Sequence, residues 1–589
     1  MNGKETDKIV DFIFSDKSIK WFFLILILGI ILRFLTASHI APLADEMVHG
    51  PHAIGFLHSG LYNTIFEAPL WFYLSDIFFK ILGITMFSTR FLSFFFGIFT
   101  IILVYLIASR IFTKKIALLS SFLLATSYFI VRYTLAEMDL TASFFIISSI
   151  YFFIIAVEKG KFPYLSAVCL GLGGLSKTLS LFFVPAFIIA FFVFTNEKRE
   201  VQVKKAVGFG LIVLLIFSPI IIYNYLWFKD AGLVDTYFAQ YFDIGKARDI
   251  YAGLSGYNSG VMFSSVYPET MKALKSIFNL DPINLILGII GFFLLFKLRE
   301  ERKYFILLLA FEISGFLFLT LSSGLATHQT TLIPVLCILA GFALFKLIEQ
   351  IKWKHALLLV LLIIFLIQLF AVPVFDKSNL YEHLTSKSGI SQLRDYANSN
   401  MDKNSIVLVD ARIYRGRIAW AFNDFHYLES SYFQQIWDIN LNLSTPQYPV
   451  KVYFVECAKD DCGWGTVTAG NLNDSSEQLV TFFSSASAPE KTILGGGGYE
   501  ELTGKPAYKI YQATINFNPK IMSVIDSSHD WLYYPVNYKP KSRMINRFNI
   551  SGFGSLLNIL AWIIMILAII TALLLPIYIA IKLYQAEKK

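Results

Sequence analysis

Charge is what this chain has least of. Asp, Glu, Lys and Arg make up 16% of its 589 residues, against 56% hydrophobic, whereas a soluble globular chain is about a quarter charged and about half apolar. That scarcity excludes a protein whose surface lies mostly in water. Cysteine is scarce too, with four residues in all, which excludes a disulfide-stapled scaffold. Cys169 and Cys337 sit inside apolar runs and read as packing residues. Cys457 and Cys462 bracket the polar segment CAKDDC. They either close a small disulfide loop in an oxidising compartment or stay as two thiols. Zinc wants four ligands, and no second Cys/His pair stands near them. No small-residue cleavage site follows the first apolar run, Trp21–Ile31, so that run reads as a retained anchor and not as a removed signal. The GGGG at 495–498 is followed by no GK[ST] and reads as a turn between elements, not a phosphate cradle.

What the chain does have is apolar length. Crossing a hydrocarbon core takes about 20 apolar residues, since each backbone amide there must be satisfied within its own helix. Runs of that kind fall at about 19–38, 88–110, 115–133, 139–157, 162–176, 178–195, 205–227, 283–298, 303–322, 328–348, 355–375 and 554–582. They predict a polytopic α-helical membrane protein of about twelve transmembrane helices. Residues 69–86 are apolar enough to make one more, but Asp76 and Lys80, four apart, suit an amphipathic helix at the interface better.

Sidedness follows from the cations. With 69–86 on the outer surface, the clusters Arg110/Lys114/Lys115, Lys159/Lys161, Lys198/Arg199/Lys204/Lys205, Lys297/Arg299/Arg302/Lys303, Lys352/Lys354 and Lys582/Lys588/Lys589 all fall on the side of the N-terminus. By the positive-inside rule that side is cytoplasmic. The net charge of +8 is thereby assigned to topology, and no nucleic-acid partner is expected. The chain reads as a multi-pass protein of the cell (plasma) membrane, both termini cytoplasmic. It divides into a transmembrane module, 1–375, with outer loops 39–87 and 228–282, an extracytoplasmic domain, 376–553, and a last helix with its tail, 554–589. In the outer domain the helix-like SQLRDYANSNM precedes the strand-like SIVLVDA, PVKVYFVECA and PAYKIYQATI, which predicts a small α/β module. Asn442, Asn473 and Asn549 each begin an N-x-S tripeptide there.

Acidic residues gather at the same outer level. Asp45 and Glu46 follow the first span, Glu67 precedes Pro69, and Glu137 and Asp139 occupy the turn between the third and fourth spans. Carboxylates at the hydrocarbon boundary are costly and point to function. Taken singly each also reads as a solvated loop charge or, for Asp139, a helix cap. Arg90, Arg132, Lys177 and His328 lie on that face as well. Snorkelling, helix-end relief or a satisfied buried histidine would account for each alone. Together the two sets suit a site that deprotonates a hydroxyl and holds a phosphate.

The order of motifs carries a resemblance. An apolar helix is followed by ADE at 44–46, FEAPLWFYL at 66–74, STRFLSFFFG at 88–97, a basic turn, AEMD at 136–139 and GLGGLSKT at 171–178. The series resembles the GT-C fold glycosyltransferases that use lipid-linked sugars, in the branch of protein O-mannosyltransferases and the aminoarabinose transferase that modifies lipid A. It covers roughly residues 19–200 well. The resemblance implies a GT-C-like fold and transfer of a sugar from a polyprenyl-phosphate donor to an unknown acceptor, protein, glycan or lipid. It also implies Asp45 as base, with Glu46 beside it, Glu67 in place of the Glu of the family's E-K-P-P segment, Asp139 closing the second motif, and Lys177 in place of the Lys of the L-T-K-G turn. Ala68 stands where the aminoarabinose enzymes carry a phosphate-contacting Lys, which shifts the expected contacts to Lys177, Arg132 and His328, with Arg90 near them.

No cofactor is expected; clustered carboxylates would also suit Mg²⁺ or Mn²⁺ against a phosphate. An oligosaccharyltransferase shares the fold, but the outer domain has no WWDYG-like segment, the nearest being CGWGTV at 462–467. A transporter or flippase would gather its charges at the midplane, not at one face.

Overall fold

A computed structural model describes residues 17–40, 42, 46–54, 56, 68–195, 197–231, 234, 235, 238, 266–298, 302–322, 327–349, 356–370, 387–413, 415–444, 446–458, 474–486, 488–496, 504–528 and 552–587. Asp45, Glu67 and Cys462 lie outside the described residues, as do most of 228–282 and the tripeptides at Asn473 and Asn549. The chain forms two compact units, one of residues 1–34, 55–375 and 544–589, the other of 35–54 and 376–543.

The helices, in chain order, are α1 (Lys17–His39), α2 (Glu46–Ala53), α3 (Leu70–Leu82), α4 (Met86–Thr89), α5 (Phe91–Ile111), α6 (Lys114–Thr126), α7 (Tyr128–Arg132), α8 (Asp139–Glu158), α9 (Tyr164–Ser176), α10 (Val184–Phe194), α11 (Arg199–Ala231), α12 (Val266–Leu280), α13 (Pro282–Phe296), α14 (Arg302–Ser322), α15 (Ile333–Glu349) and α16 (Ala356–Phe370). Short 3-10 helices, Thr178–Phe183 and Thr327–Thr331, precede α10 and α15. The chain ends on the 35-residue helix Phe553–Glu587, which packs against α11, α5 and α3.

Among the described residues, five helices are long and apolar enough to cross a membrane: Ser18–His39, Phe91–Ile111, Asp139–Glu158, Arg199–Lys229 and Phe553–Ala586. A sixth span results if Tyr267–Leu280 and Pro282–Phe296, bent by 112° at Asp281, count as one. Several of the apolar runs in the sequence are broken helices. The run 115–133 stops at Ser127, the cap of α7, and 178–195 opens with a 3-10 turn. Residues 69–86 hold only a 13-residue helix, α3. At 1.5 Å per residue that is about 20 Å, too short for a hydrocarbon core of ~30 Å.

A broken helix within an apolar layer strands backbone groups, and buried polar side chains meet them here. Arg33 is fully buried in α1; its Nη1 and Nη2 donate at 3.0 Å each to the carbonyls of Ala125 and Leu124, at the end of α6. At the same break the Asp281 carboxylate accepts from Ser127 Oγ at 2.5 Å, Asn284 Nδ2 at 2.8 Å and Gln368 Nε2 at 3.1 Å. Gln368 Oε1 in turn accepts from the amide of Tyr128 at 2.8 Å. Asp281 also caps α13, with Pro282 at the first helical position, where a missing N–H costs nothing.

Elsewhere small residues bring helices close, as they must where lipid leaves no hydrophobic drive between them. Ser149 and Ser166 exchange hydrogen bonds of 2.8–2.9 Å between α8 and α9. Gly291 of α13 lies so close to α15 that a Cβ on it would run into the backbone carbonyl of Leu339.

The second unit holds α17 (Gly389–Asn400), β1 (Ile406–Val409), α18 (Arg415–Phe422), β2 (His426–Glu429), α19 (Phe433–Asn442), β3 (Tyr448–Cys457), α20 (Asp474–Ala486), β4 (Lys491–Leu494), β5 (Pro506–Phe517) and α21 (Lys520–Ser528). The five strands order as β2-β1-β3-β5-β4, with β1 parallel to both neighbours and β5 antiparallel to β3 and β4. Strand β1 (IVLV) is buried at every position, as a central parallel strand covered on both faces should be. Its core joins Ile406, Leu408, Val452, Phe454 and Tyr511 to Phe483, Ile521 and Ile525 of the helices. Asp410, just past β1, is clamped by Arg412 at 2.5 Å and accepts from the amide of Cys457 at 3.1 Å. Burial, and then the Glu456 carboxylate at 2.7 Å, push the Tyr511 phenol above its usual range. Cys457 is disulfide-bonded, whereas Cys169 and Cys337 are free.

Helix α2 belongs to this second unit because it packs on α18. Glu46, Met47, His49, Gly50 and Ala53 are its buried positions.

Replacing Gly291 by Val should force α13 and α15 apart and lower the midpoint of thermal unfolding in detergent, corresponding to about 1–3 kcal/mol of overpacking. An unchanged midpoint would contradict the close helix contact.

Candidate functional site

The residues that matter converge on the N-terminal end of α8. The turn between α7 and α8 carries Arg132 at its start and Glu137 and Asp139 at its end, at 6%, 7% and 3% exposure. Helix α5 holds this turn in place, since Ser93 Oγ donates to the Glu137 carbonyl at 3.1 Å. Arg90, the residue that caps α5 three positions earlier, is fully buried. Asp139 is the first residue of α8, where a negative charge is favoured by the helix dipole.

Lys177 arrives from the other side. Helix α9 ends in GLGGLS, and the chain folds straight back into the 3-10 turn 178–183. A Cβ at Gly173 would sit 3.2 Å from Ser180 Cβ, so a bare backbone is what permits the fold-back. Lys177 is extended (φ −152°, ψ 118°), and its amide still caps α9 by donating to the Gly173 carbonyl at 2.8 Å. Its ammonium reaches Asp139 Oδ2 at 2.8 Å, with both side chains under a tenth exposed.

His328 comes from the 3-10 turn 327–331, which packs on α8: Ser143 Oγ meets the Thr330 carbonyl at 3.5 Å. Ser143 and Asp139 are four apart on α8 and therefore share a face. The turn thus approaches α8 about one helical turn, ~6 Å, from the ion pair. His328 itself is 8% exposed.

Of the residues the sequence nominated, Arg90, Arg132, Asp139, Lys177 and His328 belong to this unit, and Asp139 and Lys177 form a direct pair. Glu46 is fully buried as the first residue of α2, in the other unit. Asp45 and Glu67 lie outside the described residues. Among the described residues, no group of three His, Cys, Asp or Glu could hold a metal ion.

Sequence reasoning passed over two neutral neighbours. Ser176, next to Lys177, and Gln329, next to His328, are both fully buried. Among the described residues, neither Ser176 Oγ nor either amide atom of Gln329 has a hydrogen-bond partner. The available signal was slight: Gln329 stands in the polar turn THQTT, and Ser176 directly precedes Lys177.

An arrangement of this kind can bind an anion. Arg90, Arg132, Lys177 and His328 are each under a tenth exposed, and Lys177 stands at the head of α8. There the local dielectric is low and charge-assisted contacts are strong.

Residues 67–223, which include Arg90, Arg132, Asp139 and Lys177, match the family described as dolichyl-phosphate-mannose-protein mannosyltransferase. An uncharacterized protein of Aquifex aeolicus (strain VF5) is 28% identical over 227 residues, 36% of this chain and 46% of that protein. The match therefore spans under half of that relative's length. Among solved structures, ArnT from Cupriavidus metallidurans bound to undecaprenyl phosphate matches 84% of this chain and 98% of its own, with a TM-score of 0.51 at 12% identity. The oligosaccharyltransferase of Archaeoglobus fulgidus matches 74% of this chain and 67% of its own, with a TM-score of 0.45 at 15% identity. Over residues 67–223 the chain resembles the dolichyl-phosphate-mannose-protein mannosyltransferases, and its fold is similar to that of ArnT.

Proposed function

We propose that this protein transfers a sugar from a polyprenyl-phosphate donor to a hydroxyl or amine on the extracytoplasmic side of the cell membrane. The observation that carries the reading is the buried Asp139–Lys177 pair, which lies inside the stretch matched by the mannosyltransferase family. ArnT, of the same fold, has been seen with undecaprenyl phosphate, the kind of lipid such a donor leaves behind.

The chemistry is a single displacement. The acceptor O–H gives its proton to the Asp45 carboxylate while its oxygen forms a bond to the anomeric carbon. The bond from that carbon to the phosphate oxygen breaks, and the lipid phosphate leaves with the electron pair. The anomeric centre is inverted and no covalent enzyme intermediate forms. A positioned base is worth about 10²–10⁴ in rate.

Negative charge grows on the departing phosphate, and Lys177, Arg132, Arg90 and His328 are the groups that meet it. Stabilisation of this kind is usually the largest single contribution to such a rate. Asp139 holds the Lys177 ammonium in place and restrains it until the phosphate competes for it, a positioning role. These cations supply the charge that a metal would otherwise bring, so the reaction proceeds without Mg²⁺ or Mn²⁺. Both termini lie in the cytoplasm, the positions around 45 and 139 face outward, and the domain 376–553 stands on the outer side, where it helps choose the acceptor.

Purified enzyme in proteoliposomes, offered a panel of radiolabelled polyprenyl-phosphate monosaccharides, should move label from one of them to an acceptor; no transfer from any of them would end the proposal. Substituting Asp45→Asn should cut transfer by about 10²-fold or more, whereas wild-type rates in that variant would remove Asp45 as base. EDTA should leave the rate unchanged, and a loss restored by Mg²⁺ or Mn²⁺ would refute metal independence.

A further inference from the structure

Gln329 poses a problem that the phosphate does not solve. Its amide is fully buried, yet among the described residues neither its nitrogen nor its oxygen is hydrogen-bonded. Buried polar groups are almost always paired, and one left over calls for an explanation. Ser176 Oγ, equally buried, is in the same state. The two come from different elements, and each is next in sequence to a residue that contacts α8. Ser176 adjoins Lys177, whose ammonium holds Asp139. Gln329 adjoins Thr330, which meets α8 at Ser143, one turn from Asp139 on the same face.

The chemistry of the pair narrows what they bind. A phosphate only accepts hydrogen bonds, so it would use the amide N–H groups of Gln329 and leave the carbonyl oxygen unmatched. A sugar hydroxyl donates and accepts at once, which complements both the primary amide and the serine hydroxyl. Both groups are neutral, as suits a neutral ring, while the cations around them suit the phosphate to which that ring is attached.

We infer that Gln329, with Ser176 beside it, hydrogen-bonds hydroxyl groups of the transferred sugar and selects the donor. This rests on the reading above that the chain uses a polyprenyl-phosphate sugar. A site built to bond a substrate hydroxyl rejects an analogue lacking it, because its own buried groups are then left unpaired. That gives the inference a signature which a merely structural residue lacks.

The test uses the full-length enzyme in proteoliposomes with dolichyl phosphate mannose, or the donor from the labelled panel that wild type uses, together with its mono-deoxy analogues and sugar-free dolichyl phosphate. Gln329→Met should lower kcat/KM for the sugar donor about tenfold or more and leave the affinity for sugar-free dolichyl phosphate within about twofold. Its thermal midpoint without ligand should hold or rise, since an unpaired amide is being replaced by an apolar chain of similar size. One deoxy donor that wild type discriminates against should be used by Gln329→Met as well as the parent sugar is. Ser176→Ala, a smaller change, should show the same pattern for a second hydroxyl. Either of two results would overturn the inference: wild-type discrimination among the deoxy donors in both variants, or a loss of stability and lipid-phosphate affinity in parallel with transfer. If wild type transfers no sugar from any polyprenyl phosphate, the reading of function fails first and this inference falls with it.

Discussion

Two opposite charges held this far from water depend on each other. The Lys177 ammonium and the Asp139 carboxylate are 2.8 Å apart and both under a tenth exposed. Taking each ion out of water costs several kcal/mol, and their attraction offsets this only when the geometry is good. An apolar pair of similar volume would often be as stable or more so. The pair is therefore better understood as a charged tool kept ready than as a fastening. Arg90, Arg132 and His328 are buried in the same unit, and a hydrogen bond from Ser93 to the Glu137 carbonyl holds the turn that leads into α8.

Holding such a turn at the edge of an apolar layer constrains the rest of the membrane unit. The chain must break its helices to bring side chains inward, and every break exposes backbone groups that lipid cannot satisfy. Arg33 closes the end of α6, and Asp281 with Ser127, Asn284 and Gln368 closes the start of α7 and α13. These buried polar groups serve the scaffold. Glycines play the complementary part, at Gly173 where the chain turns back to deliver Lys177, and at Gly291 where two helices touch.

The membrane character was legible from composition, because apolar length is a one-dimensional property. The breaks were not, since Ser127 and Asp281 are ordinary polar residues whose effect depends on partners far along the chain, 154 positions apart in the case of their mutual bond. Asp139 and Lys177 stood out because charge at a hydrocarbon boundary is expensive, and the resemblance in AEMD and GLGGLSKT pointed at the same two residues. Their contact could not be read, because it depends on the fold-back after α9. Gln329 and Ser176 escaped notice because a neutral polar residue beside others, as in THQTT, is ordinary, and only full burial without a hydrogen-bond partner among the described residues makes it unusual. Helix α2 shows the opposite case: Glu46 follows the first span directly, but tertiary packing on α18 groups it with the second unit.

The most direct measurement is the affinity of the purified protein for undecaprenyl phosphate, compared across wild type, Lys177→Gln and Asp139→Asn. If the ammonium is a phosphate donor restrained by its partner, Lys177→Gln should weaken binding by about tenfold, roughly 1.4 kcal/mol, and Asp139→Asn, which removes the carboxylate that competes with the phosphate for the ammonium, should tighten it. Equal weakening in both variants would mean that the pair only holds the fold together, and would contradict the account.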